Sequence, residues 1–302
     1  MMKKTKGFMF SISILLLILV TVIFIKEHIS YSKNISKVKQ VTTEEKIKET
    51  TENKKETKST QETNLSSSLN LKDPYENLIF EAGEVNSIIR NEEEYTGEKV
   101  VFLTFDDGLD NISTPRIMDI LKEHEVPATF FLQGQYINEN TKDILLRMYS
   151  EGHCIAAHSF GHDYSFLYPG RVGNTKNILS DFNKIQERAS LYLGEDFNFH
   201  TWRYPGGHMS WSNLEEADRE LKALGVDWID WNNMTGDAEP KSRRPSNVND
   251  MVNKVKILNE ASSNNMQVIL MHDSKNKELT IEALPQVIAY FKDLDYKFGK
   301  FK

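Results

Sequence analysis

Cysteine is almost missing: Cys154 stands alone in 302 residues, so no intrachain disulfide can form. It lies in an apolar run, where a buried, inert thiol is expected rather than a nucleophile. Basic charge is scarce over most of the chain. Residues 1 to 70 carry twelve Lys against seven Glu, net +5, while the other 25 basic residues face 37 acidic ones, net −12. A large acidic domain is poorly made to neutralise phosphates, which argues against nucleic acid as a partner. Residues 26 to about 70 have few apolar and almost no aromatic side chains. They cannot bury enough surface to offset the entropy of ordering, and they hold no apolar heptad for a coiled coil. That composition predicts a disordered tether.

Long hydrophobic runs are scarce too. Gly7 to Ile25 is nineteen residues without a charge, about 28 Å of helix and so roughly the hydrocarbon thickness. Lys3, Lys4 and Lys6 precede it and favour a cytoplasmic N-terminus. A cleaved signal peptide competes with an uncleaved anchor. Val22 to Ile25 run straight into Lys26-Glu27 without small residues, which favours the anchor, and no cysteine follows for a lipoprotein. The expected organisation is a basic cytoplasmic tip over 1–6, a transmembrane signal anchor over 7–25, an extracellular linker over 26–97 and a folded domain over 98–302. Residues 71–97 carry scattered apolar positions whose packing the sequence does not specify.

From Glu98 the pattern alternates strand and helix. Val100 to Phe105, Ala128 to Leu132, Cys154 to Ala157, Phe199 to Arg203, Val226 to Trp231 and Gln267 to Met271 read as strands. Thr114 reads as a helix cap with Pro115 at the first position, followed by Ile117, Ile120 and Leu121 on one face. Helices are expected from about Thr141, Ser212, Pro245 and Thr280. Ile178, Phe182, Ile185, Ala189 and Tyr192 recur at helical steps and mark another. Repeated βα units predict a parallel sheet, open or closed into a barrel, with its chemistry at the carboxyl ends of the strands.

Four clusters stand at such ends. Thr104-Phe105-Asp106-Asp107-Gly108 closes an apolar strand with two acids, and packing gives no reason for that. Adjacent carboxylates suit a split task, one binding a cation and one handling a proton, with Gly108 giving the chain a sharp exit. His158-Ser159-Phe160-Gly161-His162 places two imidazoles four residues apart. With a carboxylate they form a His2Asp set that leaves coordination positions open. Arg203-Tyr204-Pro205-Gly206-Gly207 offers a tight turn with free N–H groups and a guanidinium able to grip a carboxylate. Leu270-Met271-His272-Asp273 ends a strand in a histidine suited to acid catalysis.

In order and spacing these clusters resemble the first, second, third and fifth motifs of the polysaccharide deacetylases, carbohydrate esterase family 4 or the NodB-homology domain. The likeness covers about residues 98 to 300. It implies a distorted (β/α) barrel and a hydrolase that removes N-acetyl groups from a glycan. Asp106 is then the general base, Asp107, His158 and His162 the metal ligands, His272 the general acid, and Arg203 the partner that orients Asp106. Gly206 would hold the oxyanion through its N–H, and Leu270 would line the acetyl pocket. The fourth motif departs from the family pattern. Asp230, in Asp227-Trp228-Ile229-Asp230-Trp231, matches its letters, whereas Asp237 lies beyond the strand end where it could tune His272. Asp237 is the preferred register, with Ala238 in place of the family's tryptophan and a wider groove as the result.

The resemblance implies a divalent metal, Zn2+ foremost and Co2+, Ni2+ or Mn2+ as alternatives. An anchored outer domain points to peptidoglycan N-acetylglucosamine as substrate. Poly-N-acetylglucosamine or chitin-type oligomers are the alternative, and a non-catalytic glycan-binding module is the reading from another class. The expected location is the cell membrane, held by a single N-terminal helix with the deacetylase domain on the cell-wall side.

Overall fold

Alternation along Val100–Asp106 (β2) sets the architecture of residues 73–302, the part that the computed structural model describes. The expected anchor at 7–25 and the tether to about residue 70 lie outside the described residues. Val101, Leu103 and Phe105 point outward into a large apolar cluster shared with the surrounding helices. Val100 and Phe102 point inward to a second cluster, and Thr104 and Asp106 continue that inner face toward the carboxyl end. The whole strand is buried on both faces, as a strand enclosed by βα crossovers must be.

Every strand pairing among the described residues is parallel. On one edge of β2 runs β8 (Met266–His272), and β7 (Asn233–Met234) pairs beyond it. The other edge is shared, with Val100–Phe102 pairing to β9 (Lys297–Phe301) and Thr104–Asp106 to β3 (Thr129–Leu132). From β3 the sheet continues through β4 (Cys154–Ala157) and β5 (Thr201–Trp202) to β6 (Asp227–Trp228), while β1 (Ile79–Phe80) extends β9. No ladder joins β6 to β7. The expected distorted barrel is therefore an open half-barrel of parallel strands, with β6 and β7 as the two edges that no ladder joins.

Helices Ser113–Glu123, Lys142–Ser150, Thr175–Leu193, Glu215–Ala223, Val248–Ala261 and Glu278–Asp293 fall near their expected places. Thr114 does not cap the first of them. The Asp110 carboxylate accepts the Ile112 and Ser113 N–H groups there. Thr114 lies within the first turn and turns its hydroxyl to Asp273.

The folded unit also begins earlier than residue 98. Helix Ala82–Ile89 buries Ala82, Val85, Ile88 and Ile89 against Val100, Phe102, Phe131, Met266 and Val268, filling the inside of the half-barrel at the amino ends of the strands. Those positions keep one helix face apolar in an otherwise polar segment. Burying Val85, Ile88 and Ile89 contributes about 1.5–3 kcal/mol each. Residues that the sequence placed in a linker thus form the floor of the domain.

Candidate active site

Asp106 is the last residue of β2 and is almost fully buried. The strand ends there, and Asp107 turns with φ +77° into the left-handed region, so the two neighbouring carboxylates face the same cavity. Gly108, expected to supply that positive φ, supplies space instead. A Cβ on it would collide with the Asp273 carboxylate.

His158 and His162 come from the loop after β4. Their Nε2 atoms lie 3.7 and 3.5 Å from Oδ1 of Asp107, and one donor atom from each of the three residues falls within 4.8 Å of the others. Two donors about 2 Å from one tetrahedral ion stand roughly 3.3 Å apart, so the set is close to coordinating separation. Nδ1 of His158 lies 2.8 Å from the Arg203 carbonyl, an acceptor, so Nδ1 carries the hydrogen and Nε2 keeps its lone pair toward the cavity. Burial, together with His158, pulls the His162 pKa down to about 4, leaving a neutral imidazole at pH 7. Burial opposes the charged form of Asp107. His158, His272 and His162 and the Gln133 amide nevertheless hold its carboxyl below the usual range. Ser159 and His162 also have positive φ, and the Ser159 hydroxyl accepts the His162 N–H at 2.8 Å. Such backbone persists only where its surroundings hold it.

Arg203, following β5, is completely buried beneath Asp106. Its guanidinium donates to Oδ1 of Asp106 and to the Thr104 hydroxyl, both at 2.8 Å, and to the Ile229 and Asp230 carbonyls. Its central carbon lies over the Phe131 ring, 3.9 Å from the centroid. That network fixes one oxygen of Asp106 and leaves Oδ2 toward the cavity, 3.7 Å from Nε2 of His158. His272 ends β8, directly beside Asp106 in the ladder. Asp237 reaches it, with Oδ1 2.8 Å from Nδ1 and Oδ2 accepting the His272 N–H and the Thr280 hydroxyl. Burial alone would lower the His272 pKa, but the Asp237 carboxylate outweighs it and holds the imidazole above its ordinary value. Asp230 sits elsewhere, accepting the His208 and Met209 N–H groups and fixing the Gly206-Gly207 turn.

These groups line one cavity of about 560 Å³, of a size for a sugar-scale ligand. Gly206 and Leu270 form part of its wall, and the Gly206 N–H has no backbone acceptor among the described residues. Ala238 also lines the cavity, with Glu239, Pro240 and Arg243 beside it. Three contributors escaped sequence reasoning. Gln133, at the end of β3, donates to Asp107 at 2.6 Å, and its strand-end position was the available signal. Tyr164, two residues past His162, lines the cavity. Asp273, packed behind Gly108, has one unpartnered oxygen and a pKa pushed by burial up to about 7.

Comparison with known proteins gives one consistent result. The family model described as polysaccharide deacetylase matches residues 93–228. A solved Streptococcus mutans CE4 esterase superposes with a TM-score of 0.72 at 45% identity, covering 75% of this chain and 93% of that one. The Bacillus cereus peptidoglycan-N-acetylglucosamine deacetylase is 28% identical over 223 residues, covering 70% of this chain and 94% of its own length. The Bacillus subtilis peptidoglycan-N-acetylmuramic acid deacetylase is 32% identical over 153 residues. The match covers 49% of this chain and spans 54% of that relative's length.

Proposed function

We infer that this chain, which belongs to the polysaccharide deacetylase family, hydrolyses N-acetyl groups on an extracellular glycan, with peptidoglycan N-acetylglucosamine as the favoured substrate. One observation carries the reading: an oriented carboxylate, a His2Asp donor set and a histidine–carboxylate pair open into a single cavity. A binding module needs no such division of proton-transfer groups.

The donor set fits a divalent ion, with lone pairs convergent and one imidazole tautomer fixed by a backbone carbonyl. Zn2+, or Co2+, Ni2+ or Mn2+ in its place, would supply Lewis acidity to the acyl oxygen and lower the pKa of a water. Oδ2 of Asp106 takes a proton from the attacking water while Arg203 holds the other oxygen still. The new C–O bond moves negative charge onto the acyl oxygen, where the Gly206 N–H donates. Nε2 of His272 then protonates the amine nitrogen as the C–N bond breaks, giving acetate and a free amino sugar. Asp237 supports that step by stabilising the imidazolium. Leu270 offers an apolar contact to the acetyl methyl.

The relatives named for peptidoglycan and the apolar run at 7–25 support a cell-wall substrate reached from a membrane anchor. Protease added to intact cells should release the domain if it lies outside. The purified protein, given Zn2+, should release acetate from peptidoglycan faster than from chitin oligomers or poly-N-acetylglucosamine. Asp106→Asn should cut the rate by at least about 10³-fold while glycan binding persists. Binding without acetate release from any of the three glycans would leave a glycan-binding module.

A further inference from the structure

We propose that the Tyr164 hydroxyl is a second donor to the substrate's acyl oxygen, acting beside the Gly206 N–H in a space that only glycine at 206 leaves open. The inference rests on the deacetylase reading and adds a catalytic residue to it.

Tyr164 is held in place on three sides. Asp163, just before it, caps the short helix Tyr164–Leu167 by accepting the Ser165 and Phe166 N–H groups. The phenol ring packs 5.0 Å from the His162 ring and 5.1 Å from Trp211. Trp211 is fixed in turn, stacked on Tyr168 at 4.1 Å with its indole N–H donating to the Pro205 carbonyl. Even so, Tyr164 remains 43% exposed and faces the cavity that holds Asp106, Asp107 and His272.

The hydroxyl end of the ring points to the Gly206 turn. A Cβ on Gly206 would stand 3.3 Å from the Tyr164 oxygen and 3.2 Å from Trp211, and φ there is +80°. Any side chain at 206 would thus be strained and crowded against the phenol. Glycine and tyrosine are complementary: the first leaves room, and the second fills it with a donor. Tyr204 and Tyr296 spend their hydroxyls on Asp218 and Asn259. Tyr164 makes no such bond among the described residues, and a phenol is protonated at neutral pH. A free O–H placed with the Gly206 N–H beside the metal-ligand side suits an oxygen that gains charge in the transition state.

The competing role for an exposed aromatic ring in a glycan groove is a stacking face for a sugar, which needs the ring but not the hydroxyl. Kinetics of the full-length protein with Zn2+ and peptidoglycan separate the two. Tyr164→Phe should lower kcat by about ten- to a hundredfold with KM changed less than about twofold, because the bond tightens only as charge develops. Zn2+ affinity, measured by titration without substrate, should stay at the wild-type value. A Phe variant with wild-type kcat overturns the proposal, the more so if Tyr164→Ala raises KM. Loss of Zn2+ affinity in Tyr164→Phe also overturns it, since the hydroxyl would then be serving the metal site and not the acyl oxygen. An inactive wild-type protein would defeat the deacetylase reading itself, a result distinct from a silent Phe variant in an active enzyme.

Discussion

At the carboxyl ends of the strands, Asp106, Asp107, His158, His162, Arg203, Asp237 and His272 gather around one cavity or directly beneath it. At the amino ends of the same strands, Ala82, Val85, Ile88 and Ile89 close the interior with hydrocarbon. The upper rim also holds backbone in the left-handed region at Asp107, Ser159 and His162, whereas the floor helix is regular from Ala82 to Ile89. Burial lowers a histidine pKa at each end, His162 at the rim and His153 at the floor, but only the rim also holds a histidine raised by a carboxylate. The raised one is His272, whose partner is Asp237, while His153, at the start of β4, has no carboxylate hydrogen-bonded to it. One strand bundle thus uses one end for chemistry and the other for cohesion. The separation can be broken experimentally.

The larger of the effects that separate the two ends tests the rim. Asp237→Asn keeps the size of the side chain but removes the charge that stabilises protonated His272. We expect kcat to fall by about 10²–10³-fold, or roughly 3–4 kcal/mol in barrier height. The pH profile carries more information. A general acid works only while protonated, so activity is lost as pH rises through the His272 pKa. Asp237 raises that pKa, and its loss should move the alkaline limb to lower pH. A limb that stays in place would mean that His272 is not the acid, or that Asp237 does not tune it.

The next effect tests the floor. Ile88 is 7% exposed and packs inside the half-barrel. Ile88→Ala should cost about 2–4 kcal/mol of stability by removing buried methylenes and leaving a cavity. Urea unfolding measures that loss. The kcat of the remaining folded protein should be unchanged at a temperature well below its transition. If kcat fell in proportion, floor and rim would be one mechanical unit and not two separable ends.

Legibility in the sequence differed between the same two ends. Rim residues announce themselves because polar side chains at the ends of apolar strands have no packing reason to be there, and Asp106, Asp107, His158, His162, Arg203 and His272 all meet. The fourth motif was ambiguous because Asp230 matches the family's letters but falls within a run that reads as strand, whereas Asp237 lacks the letters but lies beyond a strand end. The path of the chain bears out Asp237, the preferred register, as the partner of His272, and gives Asp230 the Gly206-Gly207 turn, which the sequence did not indicate. Floor residues carry no comparable signal. Ala82, Val85, Ile88 and Ile89 form a helical stripe, but nothing local says that the stripe enters a half-barrel whose strands include Phe301, near the far end of the chain. Gly108 shows a related limit. Its turn was visible in the sequence, yet its true constraint is contact with Asp273, a residue from the far end of the chain. Contacts between distant segments are what a single sequence conceals.

The smallest expected effect asks whether titration at the floor touches stability and leaves the rate alone. His153 is 6% exposed, accepts the Ala128 N–H through Nδ1, and leaves Nε2 without a partner. Burial holds its pKa near 4, whereas the unfolded chain titrates near 6.5. Between those values the unfolded state binds the extra proton, so stability falls as pH drops from about 6.5 toward 4. The contribution is about 2 kcal/mol at pH 5 and vanishes above pH 7. His153→Gln keeps an acceptor at the site but cannot titrate. It should flatten the pH dependence of urea stability between pH 5 and 7.5 by about that amount, whatever offset the substitution adds at every pH. The kcat–pH profile should not move, because His153 lies at the end of β4 opposite His158. A shifted kcat profile would tie this imidazole to the site across the length of the strand, and the division between a chemical end and a cohesive end would no longer describe the molecule.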